Sequence, residues 1–204
     1  METKLENEKN LVFILNDEAC QIETMSDLRA LLYYSVYDNK SIFFINTSTL
    51  DSCKRIKSIT GNNLDFETKE MLYNKYIRSS YLCYKKGLLE KDKIKYQELN
   101  VKEIDVFKDF ADAKKLLALL DKMPNLTSIT LAGTLLETDI ANLTILLRRY
   151  FKNRNRNAEI IVSLSLVDER DSFLYRDAEK LKDAMARDGI RLDRSLYKWK
   201  WVRK

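Results

Sequence analysis

Carboxylates gather at two places where a β-prone run ends. Asp17 and Glu18 follow the apolar run Leu11–Leu15, and Asp168, Glu169 and Asp171 follow Ala158–Val167. In open parallel sheets ligands bind beyond the carboxyl ends of strands, and hard oxygen ligands there can hold Mg²⁺. Asp17, Asp168 and Glu169 are therefore the candidate set for a metal-assisted enzyme. The plainer reading is helix capping, since a carboxylate before a helix accepts from free N–H groups and suits the macrodipole. Capping is favoured, because no glycine-rich phosphate loop accompanies these acids. Gly133-Thr134, ahead of a helical pattern, could touch a phosphate, but a capped turn explains it as well.

The second chemistry-bearing stretch is basic. Arg148, Arg149, Lys152, Arg154 and Arg156 form the densest positive run in the chain. A solvated helix end, where cations favour the dipole, is the first reading. A patch for nucleic acid or for an acidic protein surface is the second. Lys198, Lys200, Arg203 and Lys204 alternate with Trp199 and Trp201, and that alternation turns the tryptophans inward, away from a base-stacking role. Tyr73, Tyr76, Tyr81, Tyr84 and Tyr96 stand among lysines and read as rings lying over the edge of the core.

Other chemistry is excluded. The chain has no histidine, which rules out imidazole acid–base catalysis and histidine metal ligation. Cys20, Cys53 and Cys83 are odd in number and lack C-x-x-C spacing, so they read as buried structural thiols in a reducing setting. No catalytic residue is assigned and no cofactor is expected. An intracellular location, cytoplasmic or nuclear, follows from the thiols and from an N-terminus without a basic-apolar-small leader. No apolar run reaches the roughly 18 residues of a membrane span.

The elements that must position these residues are legible in outline. With 45% apolar and 33% charged residues over 204 positions, the chain has the material for a core. Four glycines and one proline leave few hinges. Leu11–Leu15 reads as a buried strand, Met25 to Val36 as a helix, and Ser41–Asn46 as a second strand joined by a parallel crossover. Helices are expected over Thr49–Thr60 and from Asp65 toward Gly87. From Leu99 onward strands at Val101–Phe107, Leu126–Ala132 and Ala158–Val167 alternate with helices at Asp109–Met123, from the capping box Thr134-x-x-Glu137 to Tyr150, and at Ser172–Asp188. Gly189 suits a C-cap. A last strand over Leu192–Trp201 closes the chain. The fold class is α/β: a mostly parallel sheet, or a short curved array of repeating strand–helix units. Residues 1–98 and 99–204 form two halves packed as one unit.

Three segments share one apolar spacing: Val101/Ile104/Val106, Leu126/Ile129/Leu131 and Ile161/Leu164/Leu166. With the Pro124-Asn125-Leu126 lead-in, residues 99–189 resemble leucine-rich repeats of the strand–helix kind. That resemblance implies a non-catalytic module whose exposed strand positions bind another protein. Those positions are Lys102, Glu103 and Asp105, then Thr127, Ser128 and Thr130, then Ser163 and Ser165. Met25-Ser26-Asp27-Leu28-Arg29-Ala30-Leu31-Leu32 also resembles the Ser-Asp-Leu helix of F-box proteins, many of which carry divergent repeats. Protein recognition is the leading expectation, with nucleic-acid binding and metal-assisted catalysis as alternatives. No membrane partner is expected.

Overall fold

Leu11–Leu15 contains no polar residue because both faces of its strand are covered. In the computed structural model, which describes residues 5–37, 41–46, 69–90, 96–100, 113–134, 136–168 and 175–194, strand β1 (Asn10–Leu15) is buried at every position after Asn10. Strand β2 (Ser41–Asn46) is buried through Ile45. Continuous apolar runs of this kind belong to parallel sheets with helices on both sides.

The remaining strands are β3 (Tyr96–Asn100), β4 (Ser128–Gly133), β5 (Glu159–Val167) and β6 (Arg191–Asp193). They form one six-stranded sheet in the order β3-β2-β1-β4-β5-β6, and every pairing is parallel. The α/β class with a parallel sheet is thus observed. Among the described residues, five helices of eight or more residues flank the sheet: α1 (Ile22–Tyr37), α2 (Lys69–Glu90), α3 (Lys114–Asp121), α4 (Ala141–Asn153) and α5 (Tyr175–Arg187). A π-helical turn, Leu136–Ile140, leads into α4.

Alternation along β1 divides the core. Val12 and Ile14, with Ile42 and Phe44 of β2, pack against Met25, Leu28, Leu31 and Leu32 of α1 and Tyr81 and Leu88 of α2. Leu11, Phe13 and Leu15, with Phe43 and Ile45, pack against Leu116 and Leu120 of α3, Leu143, Leu146 and Leu147 of α4, and Met185 of α5. The sheet is a middle layer between two helical layers.

This topology corrects the repeat reading. In a solenoid each strand lies beside the next in sequence. Here the chain runs outward from β1 to β2 and β3, then returns to place β4 on the other side of β1. The shared spacing also lacks a shared orientation. Ile129 and Leu131 join one core cluster, whereas Leu166 joins the other. The cause is a register shift: Leu131 pairs with Val162, but Gly133 pairs with Val167. The Ser-Asp-Leu segment is part of α1, with Leu28, Leu31 and Leu32 buried under the sheet, so it is a crossover helix rather than an F-box element.

The expected strand at Val101–Phe107, the helix at Thr49–Thr60 and the segment from Tyr197 to Trp201 lie outside the described residues. Among the described residues no helix is long and apolar enough to cross a membrane.

Candidate active site at the carboxyl edge of the sheet

Where the strand order reverses, between β1 and β4, open sheets leave a crevice beyond the strand ends. The chain is tightly knit there. Gly133 closes β4 with φ 106°, and a Cβ on it would meet the Leu15 backbone nitrogen at 2.7 Å and carbonyl carbon at 2.9 Å. Only glycine permits so close an approach. The Thr134 N–H donates to the Leu15 carbonyl at 3.0 Å, and the Asp168 N–H donates to the Gly133 carbonyl at 3.0 Å. The ends of β1, β4 and β5 are thereby tied together.

β1 itself ends at Asn16, in left-handed backbone with φ 44°, a conformation asparagine tolerates. Its N–H donates to the Ile45 carbonyl, and its side-chain amide donates to Asp139 Oδ2 at 3.0 Å. The turn carries the next residue, Asp17, into a short 3-10 turn, Asp17–Ala19, facing α2.

Asp17 is fully buried, yet both its oxygens are engaged. Lys85 Nζ donates to Oδ1 at 3.0 Å, and the Tyr81 hydroxyl donates to Oδ2 at 2.6 Å. Lys85 is 4% exposed, lies 3.8 Å from Glu18 Oε1, and sits over the Phe44 ring at 4.5 Å. Glu18 is the solvent-facing member of the group, its side chain 30% exposed. Arg78 donates to the Glu18 carbonyl at 2.8 Å, pinning the turn to α2. Burial pushes the Asp17 carboxyl above its ordinary range, against the lowering effects of Lys85 and the Tyr81 hydrogen bond. Burial and the adjacent Asp17 raise the Tyr81 phenol well above its usual value, so it remains a donor.

The structure brings some expected acids to this edge and gives them different tasks. Asp168 is buried, and its carboxylate accepts from the Gln21 N–H at 2.7 Å and from the Thr24 hydroxyl. It caps the start of α1, across 147 residues of sequence. Glu169 and Asp171 lie outside the described residues. Among the described residues no three Cys, Asp or Glu side chains stand together as a metal-holding group.

Tyr81 and Lys85 escaped the sequence reading, which placed the tyrosines of this segment at the core edge. Tyr73 and Tyr76 are exposed, whereas Tyr81 is wholly buried. A signal was present: Arg78, Tyr81, Lys85 and Leu88 recur at helical spacing, setting polar groups in line with a core position.

The proposed protein-binding positions do not form one exposed face. Thr130 and Ser163 are buried, and Ser165 is half-buried. Thr127 is exposed, and its hydroxyl donates to the Lys9 carbonyl at 2.8 Å. Ser128 donates to Asn10 Oδ1 at 2.7 Å. Lys102, Glu103 and Asp105 lie outside the described residues.

The basic run is likewise divided. Arg154 pairs with Asp121 at 3.1 Å on the surface. Arg156 donates to the Leu120 carbonyl at 3.0 Å and to the Met123 carbonyl, closing the end of α3. Arg148 and Lys152 are exposed and line a cavity at the far end of α4.

No protein-family model matches the chain, and the comparison with curated proteins finds no match. Among solved structures, the nicotinamidase SaPncA from Staphylococcus aureus is similar with a TM-score of 0.56 at 11% identity, over 93% of this chain and 99% of that one. A hypothetical protein from Trypanosoma cruzi aligns with a TM-score of 0.49 at 9% identity, over 93% and 80% of the two chains. The likeness to the nicotinamidase is one of fold. It joins the strand order in overturning the leucine-rich-repeat and F-box resemblance, and with it the non-catalytic recognition module.

Proposed function

We propose that this chain is an enzyme acting on a small molecule at the carboxyl edge of its sheet, hydrolysing a carboxamide. The observation that carries this reading is the buried Asp17–Lys85–Tyr81 group at the end of the central strand. A buried ion pair contributes little net stability compared with apolar packing, so its presence beside a topological switch point favours a chemical role. The nicotinamidase fold, named for an amide substrate, supports the choice of reaction.

In this reading Asp17 is the proton acceptor and Lys85 the cation that holds its charge. Tyr81 fixes the carboxylate through the second oxygen. Glu18, half-buried beside Lys85, faces the solvent side. Water attacks the carbonyl carbon while Asp17 takes its proton. The C–N bond then breaks as that proton passes to the departing nitrogen, leaving a carboxylic acid and an amine or ammonia. The raised pKa of Asp17 makes it a stronger base than an exposed carboxylate once ionised. The free thiols of Cys20 and Cys83 suit a reducing, intracellular compartment.

The test is ammonia release from nicotinamide and a panel of small primary carboxamides by the full chain. Turnover of at least one amide is expected, with Asp17→Asn reducing kcat/KM by about a hundredfold or more. Failure to consume any amide, or an Asp17→Asn variant as active as the parent, overturns the proposal.

A further inference from the structure

Two cavities meet at Arg148, toward the edge of the sheet opposite Asp17. The first, of about 360 Å³, is a cleft between α4 and α5 walled by Ala141, Ile145, Leu181, Ala184 and Met185. The second, of about 680 Å³, is lined by Arg148, Lys152, Arg156 and Arg187, with Asp188 as its one carboxylate among the described residues. Arg148 and Asp188 border both. Because the strands are parallel, the end of α4 and the start of β5 lie roughly 20 Å, one strand length, from the Asp17 edge.

The four cations differ in availability. The guanidinium of Arg156 is committed to the carbonyls of Leu120 and Met123. Arg187 uses Nε on the Asp183 carbonyl at 3.2 Å. Among the described residues, the side chains of Arg148 and Lys152 make no hydrogen bond or ion pair. One helical turn apart on α4, they face the same cavity. Arg148 reaches across to the end of α5, where a Cβ on Gly189 would meet its Nη2 at 3.1 Å. The carboxyl ends of α4 and α5 each contribute about half a negative charge here. With Asp188 they offset only about half of the four cations, so the cavity remains positive.

We propose that this pair of cavities binds a phosphorylated small molecule. Arg148, Lys152 and Arg187 hold the phosphate, and the cleft between α4 and α5 receives an apolar or ring-shaped remainder. The shape selects this occupant over a nucleic-acid strand. The cations surround a concavity of ligand size, rather than tracking along a surface, and an apolar cleft adjoins it.

The experiment is calorimetric titration of the full chain with naphthyl phosphate, naphthol, inorganic phosphate, AMP and a single-stranded oligonucleotide. Naphthyl phosphate is expected to bind at least about tenfold more tightly than naphthol or inorganic phosphate, and more weakly as salt is raised. The exposed double variant Arg148→Ala/Lys152→Ala, checked for an unchanged Tm, is expected to lose about tenfold or more in affinity. The control Arg154→Ala retains it. Absence of naphthyl phosphate binding, equal binding by the double variant, or equal affinity for inorganic phosphate overturns the proposal. An oligonucleotide bound in preference to AMP overturns it in favour of a nucleic-acid surface.

Discussion

Lys85 Nζ lies 3.0 Å from Asp17 Oδ1, with the two side chains 5% and 0% exposed. The first belongs to the last third of α2 and the second to the turn after β1, so the ion pair also locks a crossover helix to the central strand. Removing one partner strands a charge in the interior. Lys85→Met is expected to cost about 3–5 kcal/mol in urea unfolding, and the double variant Asp17→Asn/Lys85→Met to recover most of that loss. A double variant no more stable than Lys85→Met alone would show that the pair does not act as a unit.

The raised pKa of Asp17 sets a direction for pH dependence. Between its ordinary value and the higher folded value, the native state binds more protons than the unfolded chain. Its contribution to stability is therefore complete at pH below the ordinary carboxylate range and is lost as pH rises through the folded pKa. Thermal unfolding from pH 3 upward, compared between the parent chain and Asp17→Asn, should show the parent losing stability relative to the variant across that window. A parallel pair of curves would refute the shift.

Two glycines should respond oppositely to alanine. Gly133→Ala forces a Cβ into the Leu15 backbone at a left-handed position, separating β1 from β4. A loss above about 3 kcal/mol is expected. Gly87 lies within α2, with nothing within 4 Å of the added atom. Gly87→Ala should raise stability by about 0.5–1 kcal/mol through lower unfolded-state entropy and better helix propensity. Chemical denaturation of both variants checks the contrast.

Arg154 and Arg156 offer a second contrast within one basic run. Arg154→Ala removes an exposed pair with Asp121 and should change stability by less than about 1 kcal/mol. Arg156→Ala removes the charged side-chain donor that the Leu120 and Met123 carbonyls accept from besides their backbone N–H partners, and takes a guanidinium from the face of Phe151. A cost of about 1.5–3 kcal/mol is expected. Equal losses, measured by equilibrium unfolding, would contradict this division.

Much of the layering was legible because burial on both faces leaves a compositional mark. LVFIL and SIFFIN could hardly be anything but inner strands, and the helical periodicity of Leu116, Leu120, Leu143, Leu146 and Leu147 marked faces that do lie against the sheet. The repeat resemblance failed because apolar spacing along a strand is common to every covered parallel sheet. It carries no information about which strand lies beside which.

The candidate site divides along the same line. Asp17 was visible from sequence, since an acid directly after a buried strand must lie at that strand's carboxyl end. Its partners Tyr81 and Lys85 are 64 and 68 residues away; helical spacing puts Lys85 on the face of Tyr81 and Leu88, but nothing local pairs it with Asp17. Asp168 was visible too, but its task of capping α1, across 147 residues, was not.

What the sequence by itself determined is therefore local: the elements, their apolar faces and the placement of acids at strand ends, all set by periodicity and burial. The tertiary structure alone decided the strand order, the bond of Asp17 to Tyr81 and Lys85, and the separation of Arg148 and Lys152 from the engaged Arg154 and Arg156. Those pairings arise when the chain returns across β1 to β4 and stacks α2 on one face and α4 beside α5 on the other. Desolvation and charge pairing there depend on groups brought together from distant positions, which no spacing along the chain encodes.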